Sequence, residues 1–241
     1  MNFLKKDLFL CGASVAGPGH IAKGIVNQDS FLCIDKHKYT LMVLSDGMGS
    51  KPFADLGSKK ACEAVAEEIA GFVKSKERPL SLTQLFSNII VNWKISLEPL
   101  EAKKCSATCL FALVTKSKIL TAALGDGMIC LLGREPSQSI VVNDDKEGSF
   151  SNTTFSLSDS NAESRFRYGF YDRALFKGIV LTTDGISADL ETGKELSFAE
   201  DIFEETKKLF LPKRKSFITD MMNNWPVPHH TDDKTIVIGG L

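Results

Sequence analysis

Four aspartates, each at the edge of an apolar run, constrain this chain more than any other feature of it. Asp29 follows Asn27-Gln28, and Asp46 opens Asp46-Gly47-Met48-Gly49 after Leu41-Met42-Val43-Leu44. Asp184 follows Ile179-Val180-Leu181-Thr182-Thr183 and precedes Gly185, and Asp232 stands in Thr231-Asp232-Asp233-Lys234-Thr235. A carboxylate at a strand end, next to a residue that lets the backbone turn tightly, is placed to hold a hard divalent cation through oxygen. Asp-Gly is also a common turn dipeptide, so each of the four alone reads as a turn. Their number and repeated context argue for a multi-metal site.

The pattern between these positions alternates strand groups with helices. Residues 8 to 16 and 31 to 45 read as strand-rich, which puts Asp46 at a strand exit. From 54 to 76, Ala61, Val65, Ile69, Phe72 and Val73 recur at helical spacing, with lysines and glutamates opposite. A second helix is expected over 81 to 97, capped by Ser81 or Thr83, with Leu85, Ile89, Trp93 and Leu97 stepping by four. That spacing makes Trp93 a core residue.

Three apolar runs between 107 and 132, divided by Lys116-Ser117-Lys118 and Gly125-Asp126-Gly127, read as a meander of antiparallel strands. Residues 134 to 177 are polar and predict short strands and loops. A strand over 179 to 183, helices over 198 to 210 and 215 to 223, and a last strand over 235 to 238 complete the chain. Strand groups each followed by helices suggest a sheet-on-sheet core flanked by helices.

With 241 residues and 43% hydrophobic content, the chain can bury one substantial core, and residues 1–241 are read as a single domain. The 29 basic and 30 acidic residues nearly cancel, so no global field points to nucleic acid or an anionic membrane. The cluster Lys213-Arg214-Lys215 is local and brief. No run reaches the roughly 18 apolar residues of a membrane span. Six cysteines without a CxxC pair read as reduced thiols, which suits a cytoplasmic protein.

The segment from Gly12 through Gly17-Pro18-Gly19-His20 to Asn27-Gln28-Asp29 resembles the opening motif of the metal-dependent PP2C-type protein serine/threonine phosphatases, in their compact bacterial branch. The resemblance runs on in order through Asp46-Gly47-Met48-Gly49, Ser106-Ala107-Thr108, Gly125-Asp126-Gly127, Thr183-Asp184-Gly185 and Asp232-Asp233-Lys234-Thr235, spanning residues 12 to 240. It implies an α+β fold, a four-layer αββα sandwich of two mainly antiparallel sheets flanked by helices, with the metal site in a cleft at one end. It also implies hydrolysis of phosphoserine and phosphothreonine on proteins by water activated between two Mn²⁺ or Mg²⁺ ions. The partners would be a phosphorylated protein and a cognate kinase.

By the same resemblance, Asp46 bridges the two ions, the Gly47 carbonyl binds one, Asp184 and Asp232 complete the other, and Asp29 acts directly or through water. Asp126 matches a position linked with a third, weaker ion, and reads equally well as a turn. Asp233 stands where the family often has Asn, and reads as a second-layer or solvated acid. His20 is a candidate donor to phosphate or leaving group, and otherwise a structural histidine.

Two departures bear on activity. Gly24 stands where many members place a phosphate-gripping Arg, and Met48 stands where some have His. A catalytically silent partner-binding domain and a small-molecule phosphohydrolase are the competing functions. His229-His230 lacks metal-ligand spacing and reads as a surface loop.

Overall fold

Alternation of side chains along single strands decides the layering. In β3 (Tyr39–Asp46), Leu41 and Val43 point one way and Met42 and Leu44 the other, and all four are fully buried. A strand buried on both faces has to lie inside a stack of layers. The computed structural model, which describes residues 9–74, 81–142 and 154–241, supplies those layers.

One antiparallel sheet contains β2 (Asp29–Lys36), β3, β4 (Cys109–Val114), β5 (Lys118–Leu124) and β8 (Arg167–Asp172), in that order. The other contains β1 (Phe9–Val15), β10 (Lys234–Gly240), β9 (Phe176–Thr182), β6 (Met128–Gly133) and β7 (Ile140–Val142). Between them lies an apolar slab that includes Met42, Leu44, Leu110, Ala112, Ile129, Leu131, Ile179, Leu181 and Val237.

Helices cover the outer faces. α2 (Ala54–Lys74) and α3 (Leu82–Ser96) lay Val65, Ile69, Phe86, Ile89 and Trp93 over Leu41, Val43 and Phe111. On the other side, α5 (Glu195–Lys208) and α6 (Leu211–Asn223) bring Ile202, Phe203, Ile218 and Met222 onto Cys130, Val180, Ile236 and Ile238. This is the expected αββα sandwich. Ser81 caps α3, its side chain accepting from the Gln84 N–H at 3.2 Å. Trp93 is fully buried, and its indole N–H donates to the Gly57 carbonyl at 3.0 Å.

The three runs between 107 and 132 are strands, but they do not form one meander. β4 and β5 pair with each other, whereas β6 pairs with β7 and β9 in the opposite sheet. The turn Gly125-Asp126-Gly127 is therefore a crossing from one sheet to the other. Gly125 has φ +108°, and a side chain there would also meet Thr108 Cγ2 at 2.5 Å, so only glycine makes this turn without strain. The crossing delivers Asp126 to the end of the sandwich where β3 and β9 terminate.

Two short helices escape the periodicity argument, being too brief to show a period: α1 (Pro18–Lys23) and α4 (Asp184–Ser187). Residue 8 of the expected first strand, residues 75 and 76 of the first long helix, Pro79 and the centre of the polar stretch lie outside the described residues. All six cysteines are free. Among the described residues, no helix is long and apolar enough to cross a membrane.

The contact of α2 with the segment before β4 has no slack, because a Cβ on Gly57 would stand 1.8 Å from the Cys105 carbonyl oxygen. Gly57→Ala is expected to cost about 1–3 kcal/mol through overpacking. Gly71, also in α2, has nothing within 4 Å of such a Cβ, and Gly71→Ala is expected to gain about 0.5–1 kcal/mol from helix propensity. Thermal unfolding of the two variants should move in opposite directions.

Candidate metal centre

Strand pairing places the first two acids. Asp29 opens β2 and Asp46 closes β3, and the antiparallel register sets them directly opposite each other. Thr108 fixes the Asp46 backbone from both sides: the Asp46 N–H donates to Thr108 Oγ1 at 2.8 Å and the Thr108 N–H to the Asp46 carbonyl at 2.8 Å. Gly47 is wedged between segments, its N–H donating to the Gln28 carbonyl at 3.1 Å. A side chain there would meet the Ala54 carbonyl oxygen at 2.3 Å. Asp184 begins α4 directly after β9, and Gly185 behind it packs on the Asp233 carbonyl.

Carboxylate oxygens of Asp46, Asp126 and Asp184 all lie within 4.8 Å of one another, each half-buried. Asp29 faces this group with Oδ2 committed elsewhere, accepting from the hydroxyls of Thr183 at 2.8 Å and Thr235 at 2.7 Å. Thr235 Oγ1 also lies 2.7 Å from Ser14 Oγ; having one proton, it donates to Asp29 and accepts from Ser14. Asp232 is exposed at the rim and adds its charge to the field on both Asp46 and Asp184.

Burial and mutual repulsion dominate the electrostatics of this group. Burial pushes Asp29 up to about 6, against the lowering effect of the two threonine hydroxyls. Burial, then the charges of Asp29 and Asp184, hold Asp46 well above the ordinary carboxylate range. Asp184 is pushed up to about 7 by burial, then by Asp126, Asp232 and Asp29. An all-oxygen, partly buried donor set whose members repel one another is what Mg²⁺ or Mn²⁺ is suited to occupy. A divalent ion there would reverse the repulsion and drive the acids to their ionised forms. The residues fit the group.

Asp233 is 2% exposed, which removes the solvated reading. Its Oδ1 accepts from the Gly17 N–H at 2.7 Å and its Oδ2 from the Gln28 N–H at 2.6 Å, pinning both ends of the α1 segment to the start of β10. His20, on α1, sits with Nδ1 2.9 Å from Asp233 Oδ2, without the alignment of a hydrogen bond. His20 is thus beside the acids and not among them. Gly24 ends α1 in a left-handed conformation at φ +65° and faces open space. His229 is exposed in a turn and His230 half-buried beside it, as expected of a loop.

The structure brings Asp126 together with Asp46 and Asp184, and Asp232 does not join that trio. Sequence reasoning missed the hydroxyls of Thr108, Thr183, Thr235 and Ser14 as positioning groups. The available signal was the repeated adjacency of threonine to acid in Thr183-Asp184 and Asp233-Lys234-Thr235.

An acid whose pKa is higher folded than unfolded costs nothing below about pH 4, progressively more as pH rises through its folded value, and a constant amount above it. Asp184→Asn is therefore expected to raise the melting temperature of the chelator-treated protein at pH 8 and to leave it nearly unchanged at pH 4. Asp233→Ala is expected to act oppositely at every pH, because it leaves buried N–H groups of Gly17 and Gln28 unpaired at about 1–3 kcal/mol each. Differential scanning calorimetry checks both.

A family model described as protein phosphatase 2C matches residues 16–224. No curated protein sequence matches the chain. Among solved structures, the serine/threonine phosphatase Stp1 from Staphylococcus aureus is similar in fold, with 17% identity, 97% of this chain and 95% of that one covered, and a TM-score of 0.65. The S. agalactiae serine/threonine phosphatase matches at 14% identity, with 97% and 99% covered and a TM-score of 0.66. The catalytic domain of the serine/threonine phosphatase PstP, solved in complex with two manganese ions, matches at 16% identity, with 97% of each chain covered and a TM-score of 0.60. The family match covers most of the sequence, and the acids just described fall within the aspartate motifs and the αββα architecture expected of that family: the chain belongs to the protein phosphatase 2C family.

Proposed function

We propose that residues 1–241 form one metal-dependent phosphatase domain that hydrolyses phosphoserine and phosphothreonine on proteins. The observation that carries this reading is the convergence of the Asp46, Asp126 and Asp184 carboxylates at one end of the sandwich. Asp46, the Gly47 carbonyl, Asp184, Asp232 and Asp29 are assigned to two Mn²⁺ or Mg²⁺ ions, and Asp126 to a third, weaker one. Bound there, the ions would supply Lewis acidity, making water a nucleophile near neutral pH and neutralising the phosphoryl oxygens.

The chain's own residues do the positioning. Thr108 holds the Asp46 backbone, and the Thr183 and Thr235 hydroxyls fix the Asp29 carboxylate. Asp233 ties α1 to the same end and keeps His20 beside it. His20 is assigned the proton donated to the leaving seryl or threonyl oxygen. No covalent phosphoenzyme is required. The reading carries with it a cytoplasmic setting and a kinase that makes the phosphoprotein. The exposed Gly24, lacking the phosphate-gripping Arg, is the one observation that favours a silent binding domain instead.

Hydrolysis of an aryl phosphate and of a phosphothreonine peptide, with Mn²⁺, with Mg²⁺ and with chelator, tests the proposal. Metal-dependent turnover is expected, falling at least about a hundredfold in Asp46→Asn and Asp184→Asn. No turnover from folded, metal-loaded protein would favour the silent domain. His20→Ala is expected to lower kcat for the peptide by about 10²-fold and to spare the aryl ester, whose leaving group needs little protonation. Equal rates for wild type and variant on the peptide would remove His20 from the mechanism.

A further inference from the structure

Beside the acid cluster opens a cavity of about 530 Å³, and its chemistry is opposite in sign. Three lysines line it, contributed by separate elements: Lys51 from the loop after β3, Lys94 from the last turn of α3 and Lys103 from the short turn Ala102–Lys104. None of the three is paired with an acid among the described residues. Neighbouring acids are already committed: Glu101 is 3.0 Å from Lys104, and Asp159, the acid lining this cavity, accepts the Ser156 N–H at 2.8 Å.

The floor is made of hydroxyls. Ser106 Oγ lies 2.7 Å from Ser158 Oγ, which lies 2.9 Å from Ser156 Oγ, with Ser106 and Ser156 almost wholly buried. Two of the three protons are spent between the hydroxyls, and the third, at one end of the chain, can be turned toward an anion. The cavity is also joined to the acids. Thr154 lines it and donates to Asp126 Oδ2 at 2.6 Å, and Met48 lines it two residues from Asp46, its N–H donating to the Ser106 carbonyl at 2.9 Å.

We propose that this cavity is a second anion subsite, which selects phosphoprotein segments carrying a further negative side chain near the phosphorylated residue. The proposal rests on the phosphatase reading. Three ammonium groups without an acid partner among the described residues attract an acidic segment locally although the chain as a whole carries a net charge of −1. Lysines are flexible point charges without the rigid fork of arginine, so the subsite recognises charge and not one residue type.

The test compares four phosphothreonine peptides on the Mn²⁺-loaded protein: neutral flanks, flanking glutamates, flanking lysines, and a second phosphoserine. Each is run with wild type and with the combined variant Lys51→Gln, Lys94→Gln, Lys103→Gln. The expected result is a kcat/KM about tenfold or more higher for the glutamate and doubly phosphorylated peptides than for the neutral one. That advantage should vanish in the variant through KM, with aryl phosphate turnover within about twofold of wild type. The two anionic peptides distinguish carboxylate from phosphate as the preferred group. An advantage that survives the triple substitution, or no advantage in the wild type, overturns the subsite. Failure to hydrolyse the aryl phosphate would strike the phosphatase reading instead. Fluorescence-measured Kd values for the same peptides would then decide the subsite, tighter binding of the anionic peptides only in the wild type supporting it and equal binding refuting it.

Discussion

The carboxylate of Asp29 is where the two sheets are fastened together at the functional end. It belongs to β2 in one sheet and is held by Thr183 and Thr235, at the end of β9 and within β10 of the other. A buried acid is costly unless its oxygens are satisfied, and two hydroxyls from the facing sheet satisfy one of them. Asp233 does the equivalent for α1, accepting two backbone N–H groups from residues more than 200 positions away in sequence. The relative placement of Asp46 and Asp184 follows from these two fasteners, because one acid stands on each sheet.

The site is built against the stability of the fold. Sandwich, helices and clamps hold several acids within a few ångströms, and burial with mutual repulsion raises Asp29, Asp46 and Asp184 above the ordinary range. Such strain persists only where surrounding structure over-determines it. The core supplies that rigidity on both sides, with Met42 and Leu44 inward and Leu41 and Val43 outward from the strand that carries Asp46. Next to the acids, lysines on three separate elements, without an acid partner among the described residues, place the opposite charge.

Much of this was legible in the sequence, for physical reasons that vary with the element. Long helices such as α2 and α3 declare themselves by period, and Trp93 by its place in that period. Strand-end acids declare themselves by the apolar runs they interrupt. The crossing at Gly125-Asp126-Gly127 could not be read, since a turn within a sheet and a turn between sheets share the same glycines, and so Asp126 remained ambiguous. Asp233 was left between a second-layer and a solvated reading because its partners, Gly17 and Gln28, are distant backbone groups that no spacing rule connects to it. The cavity of Lys51, Lys94 and Lys103 was invisible for the same reason: only the fold assembles it.

Diffraction from crystals grown with Mn²⁺, measured at the manganese absorption edge, tests the central claim most directly. The account predicts two strong anomalous peaks within the acid group that contains Asp46 and Asp184. Manganese absent from this acid group at millimolar concentration, or bound only elsewhere, as at the His229-His230 loop, would contradict it.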